Sequence, residues 1–366
     1  MRVIVTGGGT GGHIYPALAI ADKFKEMDPE TEILYVGNEE GIEKDVVPKT
    51  GYPMELVDAR WLDKSSPWQL IKTGARVTKG ILEANRVMRK FKPDVVIGTG
   101  GYVCFPVIIA GKRFGAKTFL HEQNAFPGLA NRTLEKYVNK VFLGFSDAAK
   151  YFKEPSKMVE AGNPVRKSFF SLNKAEARKK LGFPQDDFIV FSFGGSLGAE
   201  KINEVAFDLM QVVNGHEKMR MVFGTGKWYY DSIVKKAEER GVVLKDNILI
   251  KDYIDDMENY LAASDLIISR AGALSVAETT VCGRACILIP SPNVTGNHQY
   301  YNAKAVADRG GAILIEEKDL TSEGLIKEVM HLKNNPEIAE KMGRAARACA
   351  PMKALDIIYD EIQAAL

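Results

Sequence analysis

Charge of one sign is not in excess in this 366-residue chain, where 49 Lys and Arg face 47 Asp and Glu and leave a formal +2. No global field recruits nucleic acid or a membrane, so nucleic acid is not an expected partner and any membrane contact must come from a local patch. Cysteine is scarce: Cys104, Cys282, Cys286 and Cys349 have no His or Cys pair nearby in ligand spacing. Neither a metal site nor a disulfide framework is expected, and the thiols read as reduced. Long hydrophobic runs are missing as well. The uncharged stretch 95–111 is broken by Gly-Thr-Gly-Gly and Pro106, and 285–303 carries Pro290 and Pro292 and is polar beyond them. Neither matches the roughly 20 apolar residues of a spanning helix. The opening MRVIVTGGGTGGH has too short an apolar run for a secretory leader.

Glycine is abundant instead, with 33 residues, and 46% of the chain is hydrophobic. That apolar share excludes a disordered chain, and the length is enough for two domains with separate cores. Short β-branched runs alternate with amphipathic stretches, the pattern of parallel βαβ units. The expected strands are 3–6, 33–36, 95–98, 118–122 and 140–144, with helices at 18–27 and 70–91. The pattern restarts after Gly162-Asn163-Pro164, with strands at 188–193, 221–223, 248–251, 266–269 and 285–290 and helices at 201–211, 229–239, 257–262 and 303–309. The stretch 336–366 is helical in pattern. Each half opens on a strand, a glycine-rich turn and a helix, so two doubly wound α/β domains facing a cleft are expected, with ligands at the carboxyl ends of the strands.

Gly7-x-Gly9-x-x-Gly12 follows a strand and precedes a helix, which fits an anion-binding turn. An NAD-linked oxidoreductase is one reading of that fingerprint. The acidic residue such an enzyme places at the end of its second strand has no clean candidate, because Asp28 and Glu30 come too early and Glu39 and Glu40 too late. His13 follows the last glycine and Pro16 lies three residues on, which predicts a loop histidine at the helix N-terminus, neutral and able to accept a proton. Capping the helix is its plainer role. Gly98-Thr99-Gly100-Gly101 ends another strand, and the two loops together are candidates for a diphosphate site, with Gly9, Gly100, Gly101 and Tyr102 as its residues. Gly194-Gly195-Ser196-Leu197-Gly198 and Ser269-Arg270-Ala271-Gly272-Ala273-Leu274-Ser275 are the corresponding loops of the second half, the latter opening a helix that carries Glu278, a candidate ribose acceptor. His121-Glu122-Gln123-Asn124 gathers four polar side chains at a strand end, and Gly296-Asn297-His298-Gln299 forms a second polar loop. His216 and His331 read as surface residues.

GGGTGGHIYPALAIA, GTGGY, HEQNAFPGLANR, GNPVR, GGSLGAEKIN, SRAGALSVAE and GNHQYYNA, in this order, resemble the motifs of the MurG-type glycosyltransferases of glycosyltransferase family 28. The resemblance spans residue 3 to about residue 312. It implies a GT-B fold of two Rossmann-like domains: an acceptor domain at 1–164, joined by 345–366, and a UDP-sugar domain at 165–344. It implies inverting transfer of N-acetylglucosamine from UDP-N-acetylglucosamine to the C4 hydroxyl of a lipid-linked muramyl-pentapeptide, with no cofactor and no obligatory metal. It also implies a peripheral enzyme on the cytoplasmic face of the cell membrane.

Carried over by position, the resemblance places the donor at Thr10, Gly11, Gly12, Asn124, Arg166, Ser196, Ile254, Ala273, Leu274, Ser275, Val276, Ala277, Glu278 and Gln299. Ser196 and Arg166 would meet the diphosphate, Ile254 the uracil through its backbone, Glu278 the ribose and Gln299 the sugar. His298 stands where some relatives carry a second Gln. His13 is the expected base, with Glu122 as second candidate or as orienter. Residues 61–82 combine Trp68 and Ile71 with Lys72, Arg76 and Lys79, a basic amphipathic segment suited to an anionic membrane surface, or else an ordinary surface helix. A related transferase with another lipid acceptor and a non-enzymatic sugar-nucleotide binder are the remaining alternatives.

Overall fold

Runs such as Val3-Ile4-Val5 and Val95-Val96-Ile97 are apolar at every position, and a strand built from them must be covered on both faces. The chain solves this with two parallel sheets, each wrapped by helices. The computed structural model describes residues 1–59, 67–195 and 197–366, and only the backbone at 67–76. The first sheet contains β1 (Arg2–Thr6), β2 (Glu32–Asn38), β3 (Met54–Val57), β4 (Val95–Gly98), β5 (Lys117–Glu122), β6 (Lys140–Leu143) and β7 (Met158–Glu160), in the order β3-β2-β1-β4-β5-β6-β7. The second contains β8 (Phe188–Phe193), β9 (Met219–Gly224), β10 (Ile248–Lys251), β11 (Leu266–Ser269), β12 (Ala285–Leu288) and β13 (Ile313–Leu314), in the order β10-β9-β8-β11-β12-β13.

Side chains alternate across the first sheet: Val3 and Val5 of β1 join the core layer under the helix Gly11–Met27, while Ile4 joins the layer containing Val107 and Ile108 of the helix Cys104–Arg113. In each sheet the strand order reverses beside the first strand, at β1/β4 and at β8/β11. A crevice opens there at the carboxyl ends, because the connections leave in opposite directions. Pairing of Thr6 with Gly98 brings the two glycine loops of the first sheet together, and pairing of Phe193 with Ser269 does the same in the second.

The chain divides into two compact units, Met1–Val165 with Lys353–Leu366, and Arg166–Met352. The expected boundaries at 164/165 and 344/345 differ from this division mainly at the second, because the helical stretch 336–366 is two helices. Pro336–Ala348 belongs to the second unit, where Gly343 packs against the Gly283 carbonyl and Ala346 is buried. Ala354–Gln363 returns to the first unit, where Ile358 and Ile362 complete the core layer of β1. Its polar flanks are tied by Lys23 to Asp356 at 2.6 Å and by Lys140 to Glu361, with Tyr359 against Phe24 at 5.1 Å between centroids. Strands β3, β7 and β13 and the helices Leu129–Leu134, Lys174–Leu181 and Ser322–Asn334 are additions to the expected elements, while the helix Cys104–Arg113 takes up the end of the uncharged stretch 95–111. Each added strand is four residues or fewer and lies toward a sheet edge, so its hydrophobic signal is short. Among the described residues no helix is long and apolar enough to cross a membrane.

Candidate active site

The loop after β1 is held on every side. Tyr35 Oη donates to the Gly7 carbonyl at 2.6 Å, the Gly8 amide donates to the Gly100 carbonyl at 3.2 Å, and the Gly9 amide donates to Glu43 Oε2 at 3.1 Å. Gly101 lies so close to Gly8 that a Cβ there would overlap its carbonyl oxygen, and its φ of +86° is one that L side chains rarely adopt. The helix then starts at Gly11, earlier than expected, so His13 belongs to its first turn rather than to the loop, and Pro16 lies inside the helix. His13 Nδ1 is 2.8 Å from the Gly8 carbonyl oxygen. A carbonyl only accepts, so Nδ1 carries the hydrogen and Nε2 keeps its lone pair. Thr99 Oγ1 donates to the His13 carbonyl at 2.7 Å, and a Cβ on Gly100 would fall 2.8 Å from His13 Nε2. The two loops thus meet at the histidine ring, with its proton-accepting nitrogen beside Gly100.

Two expectations change here. Gly9 cannot offer its N–H to a diphosphate, because Glu43 has taken it. Tyr102 is exposed, and the Gly100 amide points at Cys104 Sγ at 3.2 Å. Anion donors are therefore to be sought at Gly11 and Gly12, the first N–H groups of the helix.

Glu122, expected as a second base, is buried and saturated. Its oxygens accept from the Asn124 amide at 2.9 Å, Asn124 Nδ2 at 3.2 Å, the Gly128 amide at 3.0 Å and Asn131 Nδ2 at 2.8 Å. Four donors occupy a carboxylate's lone pairs, so Glu122 organises the loop 123–131 instead of taking a proton. Asn124 serves this loop in the first instance. His121 is buried beside it, donating from Nε2 to the Gly162 carbonyl at 3.0 Å and accepting at Nδ1 from Gln123 Nε2 at 2.9 Å. Gln123 Nε2 also donates to the Thr99 carbonyl at 2.7 Å, and Asn163 Nδ2 to the Gln123 carbonyl at 2.9 Å. Polar groups this far inside must be paired, and this chain of bonds ties the end of β5 to the β4 loop and to the junction at 162–164.

In the second unit the helix Ala273–Cys282 starts at the β11 carboxyl end, with Gly272 as N-cap. Ala273, Leu274 and Ser275 present its first amides. The Val276 amide already bonds the Gly272 carbonyl at 2.9 Å, and the Val276 and Ala277 side chains are buried and pack the helix. Glu278 is half-buried; desolvation pushes its carboxyl up to about 7, against the opposing pull of Arg166. Arg166 is largely exposed, 3.7 Å from Glu258 Oε2 and stacked 5.2 Å over the Phe169 ring. The Ile254 side chain is buried against Gly224, which leaves its main chain for any ligand. Gln299 Oε1 accepts from the Ser291 amide at 2.9 Å, and His298 Nδ1 donates to the Thr295 carbonyl at 3.0 Å. Arg270 braces the β11 loop through the Ile289 and Pro290 carbonyls and Glu317. Ser196 lies outside the described residues. Among the described residues no three His, Cys, Asp or Glu side chains converge as metal ligands.

Of the basic segment, the side chains of Trp68, Ile71, Lys72 and Arg76 lie outside the described residues. Lys79 is described and is drawn onto Asp58 and Glu83, each at 3.4 Å, so its charge is locally balanced. Sequence reasoning missed Glu43, Tyr35 and Thr99. Glu43 carries a signal in the sequence, since it follows Gly37 and Gly41 closely, just beyond Glu39 and Glu40.

Two family models match the chain: the glycosyltransferase family 28 N-terminal domain over residues 3–143 and the family 28 C-terminal domain over residues 189–358. A relative from Alkaliphilus oremlandii, named UDP-N-acetylglucosamine--N-acetylmuramyl-(pentapeptide) pyrophosphoryl-undecaprenol N-acetylglucosamine transferase, is 42% identical over 100% of this chain and 99% of its own. A relative of the same name from Acetivibrio thermocellus is 41% identical over 99% of this chain and 98% of its own. Among solved structures, MurG of Acinetobacter baumannii matches with a TM-score of 0.79 at 26% identity, covering 99% of each chain.

The His121 network makes an acid-sensitive lock. Burial pulls the His121 pKa from 6.5 down to about 4, so as pH falls the unfolded chain takes up this proton before the folded chain does. The resulting stabilisation is complete above pH 6.5 and is withdrawn as pH falls towards 4, a loss of roughly 3 kcal/mol. Urea unfolding at pH 7 and pH 4 should show this loss in the parent chain and a clearly smaller one in His121→Gln. An equal acid loss in both would clear His121 of the effect.

Proposed function

The chain belongs to glycosyltransferase family 28 and is a glycosyltransferase, and we propose that it moves N-acetylglucosamine from UDP-N-acetylglucosamine to the C4 hydroxyl of a lipid-linked N-acetylmuramyl-pentapeptide. Full-length similarity to relatives named for that transfer supports the substrates. The observation that carries the chemistry is His13, whose Nδ1 is fixed by the Gly8 carbonyl so that Nε2 is free to accept a proton. As the acceptor oxygen attacks the anomeric carbon, Nε2 takes the hydroxyl proton and the bond to UDP breaks on the opposite face. An α-linked donor therefore yields a β-1,4 disaccharide. The charge that develops on UDP is met by the first amides of the helix Ala273–Cys282 and by Arg166, whose guanidinium is largely exposed beside Glu258. Ser196 is a further phosphate ligand in this reading, Ile254 meets uracil through its main chain, Gln299 holds the sugar, and Thr10, Gly11 and Gly12 present the first helix of the acceptor unit.

Incubation with radiolabelled UDP-N-acetylglucosamine and lipid-linked muramyl-pentapeptide should yield labelled lipid, whereas diacylglycerol as acceptor or UDP-N-acetylgalactosamine as donor should not. Absence of label in the muramyl lipid overturns the reading. His13→Ala should lower kcat by about 10²-fold or more. Unchanged turnover at saturating substrates would remove His13 from the role of base.

Glu278 meets the ribose hydroxyls best as a carboxylate. With its pKa lifted to about 7, the KM for donor should fall as pH rises from 6 to 8, and Glu278→Gln should flatten that profile at a higher KM. An identical pH profile in the variant would count against Glu278 as the ribose ligand.

A lipid-linked acceptor calls for a membrane-facing surface, and the enzyme is placed on the cytoplasmic face of the cell membrane as a peripheral protein in this reading. Trp68, Ile71, Lys72 and Arg76 supply its sequence pattern, and Leu82, Tyr102 and Leu129 are exposed apolar side chains of the same unit. Co-sedimentation with vesicles should rise with anionic lipid content and drop on charge reversal at Lys72 and Arg76. Indifference to either change would argue for an ordinary surface helix.

A further inference from the structure

Glu43 is fully buried, and nothing in the proposed reaction uses it directly. Its surroundings are built for a carboxylate. Oε1 accepts from the Asn38 amide at 2.9 Å and Oε2 from the Gly9 amide at 3.1 Å. Gly8, Gly37 and Gly41 close around it, and a Cβ at any of the three would run into the Glu43 side chain. Three glycines and two main-chain donors from separate segments therefore converge on one side chain, more than is needed to fill a gap.

The Gly9 amide that donates to Glu43 belongs to the same peptide unit as the Gly8 carbonyl that accepts from His13 Nδ1. Carboxylate, peptide and imidazole form one line of hydrogen bonds. A negative acceptor on the N–H side of a peptide polarises it, which makes its carbonyl a stronger acceptor. Resting on the reading of His13 as base, we infer that Glu43 is a positioning residue acting through the Gly8–Gly9 peptide: it fixes the Nδ1–H form of His13 and supports the imidazolium that forms when Nε2 takes the acceptor proton. The part it plays is that of the third group behind a catalytic histidine, with a peptide interposed.

The other titratable groups on this loop do not compete. The Tyr35 hydroxyl donates to the Gly7 carbonyl, and burial raises its pKa. Cys104 Sγ contacts the Gly100 amide and the Thr6 carbonyl, and burial pushes the thiol up to about 12. Both stay neutral while the enzyme works, and Thr10 Oγ1, 3.5 Å from Nδ1, carries no charge.

The test is steady-state transfer over a pH series. Glu43→Gln should lower kcat about tenfold or more while leaving the donor KM within about twofold. The acid limb of its kcat profile should move to lower pH by about half a unit or more, because an imidazolium without its carboxylate gives up its proton more readily. Glu43→Asp, which keeps the charge, should hold the limb closer to its original place, and adding Glu43→Gln to His13→Ala should lower kcat no further. A role in packing alone predicts loss of protein or of kcat with the limb unmoved, and that result overturns the inference. If the Gln variant does not fold, ¹⁵N imidazole spectra of the parent protein decide instead, with His13 identified by its absence in His13→Ala. Nδ1 protonated and Nε2 unprotonated is expected, and the opposite tautomer overturns the inference. Full kcat in His13→Ala would instead strike at the reading of His13 as base, so the two failures are distinguishable.

Discussion

A single peptide unit, Gly8–Gly9, sits where the main constraints of the first unit cross. Its carbonyl receives His13, its amide is committed to Glu43, and the neighbouring amide of Gly8 binds the Gly100 carbonyl of the facing loop. This is possible because β1 and β4 are adjacent parallel strands that end level, with Thr6 opposite Gly98. Two loops leaving those ends must interlock in very little space. A side chain at Gly7 would strike Thr99 Oγ1, one at Gly8 would strike Glu43, and one at Gly101 would strike the Gly8 backbone. The glycines are thus required by mutual exclusion between two loops as much as by any ligand.

That view changes what a glycine-rich turn means here. In a dinucleotide fold the turn exists so that its backbone can approach a pyrophosphate. In this chain the Gly9 amide is spent internally, and the turn's principal product is a histidine ring of fixed tautomer at the carboxyl edge of the sheet. The second unit uses its own switch point differently. There the helix Ala273–Cys282 begins directly after the β11 loop with Gly272 as N-cap, and the loop is braced from behind by Arg270 and by Asn302 Nδ2 on the Ala271 carbonyl at 3.1 Å. One topology yields a histidine of fixed tautomer in one unit and a glycine-capped helix start in the other.

The strands of both sheets could be read from the sequence because an all-parallel strand buried on two faces is apolar at every position, and a run such as Phe188-Ile189-Val190-Phe191 has no other stable home. The edge strands were harder. Met158-Val159-Glu160 and Ile313-Leu314 are too short for any period to show, and their place depends on pairing with a neighbour already laid down. Of the site, His13, the paired glycine loops and the helix with Glu278 were legible as residue types at strand ends. The division of roles was not. Whether Glu122 takes a proton or holds a loop depends on donors at Gly128 and Asn131, which reach it only once the chain has turned back. Glu43 was invisible for the same reason, since the Gly9 amide it satisfies lies 34 residues earlier in the chain.

Three buried or half-buried carboxylates show how far donors, rather than burial alone, decide what a carboxylate does. Glu43 has two main-chain amides and is committed to a loop; Glu122 has four donors and is committed to another. Glu278 has none among the described residues, only the charge of Arg166 to offset its desolvation, and its carboxyl rises to about 7. A group left this way has lone pairs to give, and hydroxyls brought by a ligand would satisfy them at less cost than water stripped from a fully paired acid. The first two carboxylates are therefore tied into the loops whose amides they accept, and the third is left without a hydrogen-bond donor among the described residues.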